Sequence, residues 1–143
     1  MKCRTIIDRE HDEEVVIYVH EKNALSDAIA DLVLGKSTEI IGYKDREIVK
    51  LNVSEICCFA VCDNKVYAFL ENEKLYIKQR LYTLEEMLDK DFIKINQSCI
   101  ANIKKIKKFD ASLTGTLSVI FENGYRDYVS RRQLRSVKER MGI

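Results

Sequence analysis

Apolar and polar residues alternate with a period of two along most of the chain, the pattern of strands with one buried face and one wetted face. The alternation predicts strands over residues 3–7, 14–20, 38–43, 47–51, 55–62, 66–70 and 74–78. The second half adds 92–95, 106–111, 116–122 and 125–129. These runs are short, frequent and separated by turn residues, which points to a mainly antiparallel β architecture. Asn123-Gly124 lies between two such runs, and both residue types accept the positive φ of a type I′ hairpin. Asp63-Asn64-Lys65 and Glu71-Asn72-Glu73 predict two further hairpin connections.

Helical periodicity is confined to three places. Asn23 is positioned to cap a helix whose apolar stripe is Leu25, Ile29, Leu32 and Val33, with Gly35 ending it. Thr83-x-x-Glu86 has the spacing of a capping box opening a short helix through about Leu88. Ser130-x-x-Gln133 repeats that spacing ahead of Leu134, Val137 and Met141, which share one face of a terminal helix. The fold class that follows is mainly β, α+β overall. Residues 1–40 form a small strand–strand–helix element and residues 41–143 the β-rich remainder. No linker composition marks the boundary, and neither an internal repeat nor a low-complexity tract is evident.

Composition narrows the class. The 143 residues are 46% hydrophobic and 33% charged, which describes a folded globular chain. No apolar run approaches the roughly 20 residues of a membrane helix, and the N-terminal stretch lacks the apolar core of a signal peptide. The expected location is the cytoplasm. The net charge of +1 conceals an asymmetry. Residues 1–91 carry 13 Lys and Arg against 19 Asp and Glu, whereas residues 92–143 carry 11 against 4. A basic segment of this kind suits a polyanionic partner, and equally a solvated surface without one.

Catalytic patterns are lacking. His11 and His20 have no partner at ligand or triad spacing, and no Gly-rich phosphate loop, Gly-x-Ser-x-Gly or His-Glu-x-x-His motif occurs. Neither an enzyme nor a bound cofactor is expected, and no small-molecule substrate. Cys57, Cys58 and Cys62 cluster, but their spacing is not that of a zinc site. On a strand, Cys58 and Cys62 share one face and Cys57 takes the other, as buried structural thiols. A thiol-based redox or metal sensor that also uses Cys99 is the weaker alternative.

The basic residues carry more. Lys104, Lys105, Lys107 and Lys108 fall in pairs between apolar residues, so some of them share an exposed face. Ser130 as N-cap places Arg131 and Arg132 in the first turn of the terminal helix. A cation there opposes the helix dipole at roughly 0.3–1 kcal/mol. A partner that uses these arginines accounts for that cost, because helix N-termini bind phosphate and arginine reads guanine edges. An ion pair with an acidic residue such as Glu13 or Glu55 is the alternative.

In this order the segments resemble the LytTR DNA-binding domain. The stretch Phe92-Ile93-Lys94-Ile95-Asn96-Gln97-Ser98-Cys99-Ile100-Ala101-Asn102-Ile103-Lys104-Lys105-Ile106 is similar to the family's signature. Tyr128-Val129-Ser130-Arg131-Arg132 resembles its last strand and terminal helix, residues 48–59 its opening strands, and residues 81–88 its mid-domain helix. The match covers about residues 41–143. The resemblance implies a bacterial transcription regulator whose elongated antiparallel sheets present loops to successive major grooves of double-stranded DNA. It aligns Asn64 and Lys65 with a base-reading loop, Gln97 and Ser98 with the signature triplet, and Asn102 with an asparagine near the phosphate backbone. Arg132 in the Ser130-Arg131-Arg132 segment matches a base-contacting arginine, and Tyr128, Lys104 and Lys105 are further contacts. Asn96-Gln97 departs from the usual His-Arg and removes a cation from a backbone-facing position.

Forty residues ahead of the domain are too few for a receiver, so the resemblance is to short stand-alone regulators, often found beside small membrane proteins. A membrane protein encoded nearby is accordingly an expected partner. The apolar edges of residues 1–40 suit homodimerisation. A protein-interaction or sensory module is the alternative function.

Overall fold

A computed structural model of the chain describes residues 2–34 and 39–143, which divide into two compact units, residues 1–35 and 36–143. In the first unit, α1 spans Ala24–Val33. Asn23 caps it as expected: its side chain accepts from the Ser26 amide at 2.8 Å, and Ser26 Oγ closes the box from the other side. No residue of α1 is buried. The strands expected over residues 3–7 and 14–20 are not formed. Asp8 closes a bend between the two segments by accepting from the Glu10 amide at 3.0 Å, but Ile7 and Tyr18 are each 93% exposed. Alternation alone does not hold a two-stranded ribbon that has nothing to pack against.

The second unit holds ten strands. Seven form one antiparallel sheet in the order β2-β1-β5-β4-β3-β7-β6. They are β1 Glu39–Lys44, β2 Glu47–Asn52, β3 Cys58–Cys62, β4 Lys65–Phe69, β5 Lys74–Ile77, β6 Phe92–Asn96 and β7 Cys99–Asn102. The remaining three, β8 Ile106–Ala111, β9 Leu117–Phe121 and β10 Arg126–Val129, form a second sheet in the order β10-β9-β8. β1 runs through residue 40, so that strand belongs whole to the second unit; Thr38, expected to begin it, lies outside the described residues. β7 was not foreseen. All four of its residues are buried, so this interior strand has no exposed face and no alternation to read.

Period-two geometry splits the large sheet between two cores. On one face Ile40, Leu51, Phe59, Ala68, Leu75, Ile77 and Ile100 pack over Leu84 and Leu88 of the α2 region. On the other, Cys58, Ala60, Ile95, Cys99 and Ala101 meet Leu117, Val119, Phe121 and Val129 of the small sheet, with Val137 of the terminal helix α3. Cys57 packs in this same cluster, contrary to the face expected for it, because it stands one residue ahead of β3 and escapes the strand's alternation. Gly42 is needed where β1 crosses the first core, since a Cβ there would lie 2.8 Å from Leu75 Cβ.

Two capping boxes fail. α2 spans Leu81–Met87 and begins two residues before Thr83, because Leu81, Leu84 and Leu88 form the stripe that packs on the sheet. α3 spans Arg131–Met141 with Ser130 at the cap position, yet the Ser130 side chain makes no capping hydrogen bond. Its carbonyl instead accepts from the Gln133 amide at 3.0 Å. The type I′ geometry also sits elsewhere. Asp63 and Asn64 have φ of 50° and 65° and form the two-residue β3–β4 turn, whereas at Asn123-Gly124 only the glycine is left-handed.

Candidate nucleic-acid interface

Three loops meet at one end of the large sheet. The β3–β4 turn presents Asn64 and Lys65, both exposed. The β6–β7 turn presents Gln97 and Ser98 beside it, and the Ser98 carbonyl accepts from the Val61 amide at 2.9 Å. The start of α3 is pinned to the same turn, since the Ser130 amide donates to the Ile95 carbonyl at 2.8 Å. Asn64, Lys65, Gln97, Ser98, Tyr128, Ser130, Arg131 and Arg132, separated by up to 68 positions in sequence, therefore share one tip.

Asn96 holds this tip together. Only 1% exposed, it accepts from the Ser98 amide at 2.7 Å and donates from Nδ2 to Asp127 Oδ1 at 2.9 Å and to the Tyr128 carbonyl at 2.8 Å. These bonds join the β6–β7 turn and β10 to the end of β6. Position 96 thus faces inward, and of the Asn96-Gln97 pair only Gln97 lies at the surface where a cation could meet a phosphate. Asp127 also accepts from the Tyr125 hydroxyl at 3.2 Å. Burial, then the Asp127 charge, pushes the Tyr125 phenol well above its usual range, so it stays a donor.

The arginines are unpartnered. Arg131 and Arg132 are exposed in the first turn of α3, that turn holds no acidic residue, and neither arginine is in an ion pair among the described residues. The ion pair with Glu55, within the same unit, is therefore not formed. The unfavourable placement against the dipole has no compensating acidic residue in that turn.

Asn102, Lys104 and Lys105 lie elsewhere. Asn102 ends β7 and the two lysines follow it, at the opposite end of the sheet, roughly 10 Å along the strands from the tip. Asn102 is 2% exposed and fully engaged, with Nδ2 donating to the Ile56 carbonyl at 2.8 Å and Oδ1 accepting from the Lys104 amide at 3.0 Å. These two bonds tie the end of β7 to the segment ahead of β3 and open the single 3₁₀ turn Ile103–Lys105. Lys104 pairs with Asp91 at 3.2 Å and Lys105 with Glu122 at 3.8 Å.

The sequence reading missed Lys78, Arg80 and Lys94 as site residues. They line a groove of about 530 Å³ together with Asn64, Lys65 and Gln97. The available signal was Lys78-Gln79-Arg80 in the connection after β5, two cations on a turn. The thiols offer no comparable constellation. Burial pushes the Cys57 thiol up, and contact with Cys58 together with burial raises Cys99, so both favour the protonated, unreactive form.

The arrangement is one of antiparallel sheets that bring loops and an uncapped helix start to one cationic end, a surface suited to a polyanion. The LytTr DNA-binding domain family matches residues 46–142, and the chain belongs to that family. It is 35% identical to an uncharacterized HTH-type transcriptional regulator of Staphylococcus aureus strain MSSA476, over 100% of this chain and 99% of the relative. The corresponding proteins of strains MW2 and NCTC 8325 match at the same identity and coverage. Among solved structures, a LytTr DNA-binding domain from Bacillus cereus has the same fold, with a TM-score of 0.70 at 23% identity, covering 75% of this chain and 99% of that one. Among the described residues strands separate α1, α2 and α3, so no two helices are joined by a turn. No helix among them is long and apolar enough to cross a membrane.

Proposed function

We propose that the protein is a sequence-specific transcription regulator that reads double-stranded DNA with its tip, placing the loops in successive major grooves. The observation that supports this most is the gathering of unpaired cations and uncommitted amide side chains where three loops meet. In this reading Asn64, Gln97 and Arg132 face bases, while Lys65, Ser98, Tyr128, Ser130 and Arg131 position the backbone. The protein acts in the cytoplasm. It binds as a homodimer, with the first unit as the contact: α1 leaves Leu25, Leu32 and Val33 more than half exposed, an apolar stripe that a second copy would cover. A membrane protein encoded nearby is the candidate for its control.

The test is fluorescence-anisotropy titration with DNA from upstream of its own gene, against scrambled DNA, across a salt series. The expected result is preferential binding whose affinity falls steeply with salt, as phosphate neutralisation requires. Indifference to both DNAs at low salt would remove the proposal in favour of a protein-interaction module. Light scattering on the intact protein checks the dimer, which a polar substitution such as Leu32→Glu should dissociate.

A further inference from the structure

We propose that Lys65, Lys78, Arg80 and Lys94 form a phosphate-holding wall beside the tip, along which the DNA backbone flanking the read bases is seated. The inference rests on the DNA-binding reading above and extends it to three residues that lie outside the tip loops. The groove they line contains no carboxylate, and none of the four is in an ion pair among the described residues. Two are held in a way that leaves their charge available. Lys78 Nζ stands 4.7 Å from the centre of the Tyr43 ring and Lys65 Nζ 5.8 Å from that of Tyr76. A ring face steadies an ammonium through its quadrupole without cancelling the charge, whereas a carboxylate neutralises it. Tyr43 and Tyr76 are themselves cross-strand neighbours with ring centres 6.2 Å apart, so both lysines stand on one aromatic base.

The counterpart at the other end of the sheet makes the sign meaningful. A groove of about 610 Å³ there is lined by Glu55, Glu71, Glu73 and Glu122, with Lys105 as its sole cation. A polyanion approaching the molecule is repelled from that end and drawn to the groove at the tip. Within this groove the cations adjoin Asn64 and Gln97, so a strand whose bases meet those side chains carries its phosphates past the wall. The contact is with phosphodiester and carries no base information.

The experiment measures the intact protein on its upstream DNA and on scrambled DNA across a salt series, for wild type, Lys78→Ala, Arg80→Ala and the double variant. Lys44→Ala serves as a charge-matched control, because Lys44 is paired with Glu73 at 3.0 Å away from the groove. Each exposed cation removed from the wall should lower the salt slope by about 1 and the double variant by about 2. Affinity for both DNAs should fall by the same factor, leaving their ratio unchanged, and Lys44→Ala should match wild type. Wild-type binding with unaltered slopes in the variants would overturn the wall and leave the regulator reading standing. A changed ratio would overturn it too, by showing base contact. If wild type shows no salt-sensitive binding, both proposals fall together.

Discussion

The two ends of the large sheet are built alike and differ in charge. Each holds a buried asparagine at an end of the β6–β7 hairpin, Asn96 at the tip and Asn102 at the base, whose oxygen accepts from the amide two residues on. Each also has a groove of similar size. At the base Lys105, the cation lining the groove, is matched with Glu122, and nearby Lys44 and Lys104 are matched with Glu73 and Asp91, while Lys74 rests on the Tyr67 ring; at the tip Lys65, Lys78, Arg80, Lys94, Arg131 and Arg132 are in no ion pair among the described residues. What distinguishes the proposed interface is uncompensated charge. The presence of a cavity is shared by both ends.

The sharpest way to break this comparison is to remove the two asparagines. Asn96→Ala and Asn102→Ala each leave buried polar groups unpaired and should cost about 1–3 kcal/mol of stability in urea denaturation. Their effects on DNA should part company: Asn96→Ala should also erode the preference for cognate over scrambled DNA, and Asn102→Ala should leave the affinity of the folded protein unchanged. Arg132→Ala comes next, with a loss of about 1–3 kcal/mol on cognate DNA and a smaller one on scrambled DNA. An unchanged preference would take Arg132 out of the base-reading set.

A pH series probes the groups behind the tip. Cys57, Cys99 and Tyr125 are all raised in the folded protein above the values they take when unfolded. Their stabilisation is present below about pH 8.5 and is lost as the unfolded chain ionises, first the thiols and then, near pH 10, the phenol. Chemical denaturation should therefore show stability falling across that alkaline range, with the phenol's share absent in Tyr125→Phe. The smallest expected effect belongs to Lys104→Ala. Its exposed pair with Asp91 contributes about 0–1 kcal/mol, and its position at the base predicts a salt slope equal to that of wild type.

Much of the fold was legible because its signals are local. β1, β2, β4 to β6 and β8 to β10 follow from alternation, and the Asn23 cap from one residue. β7 was illegible for the converse reason, a strand buried on both faces. The segments at 3–7 and 14–20 alternate as well as any strand, yet no core receives them. The site was legible in part. Ser130-Arg131-Arg132 stands out against the helix dipole, but charge counted along the chain misleads: Lys65, Lys78 and Arg80 come from the acidic stretch, and Lys104 and Lys105 of the basic stretch are neutralised. Compensation depends on neighbours in space, which composition does not record.

The backbone bonds from Val61 to Ser98 and from Ser130 to Ile95 have a consequence for inheritance. They fasten the three loops through groups that every non-proline residue possesses, so the spacing between Gln97 and Arg132 does not depend on which side chains stand there, whereas the positive φ at Asn64 confines that position to residues such as asparagine, aspartate or glycine. If Gln97 and Arg132 read bases as proposed, a lineage of such proteins can exchange those two residues one at a time and acquire new target words while the gauge between letters stays fixed.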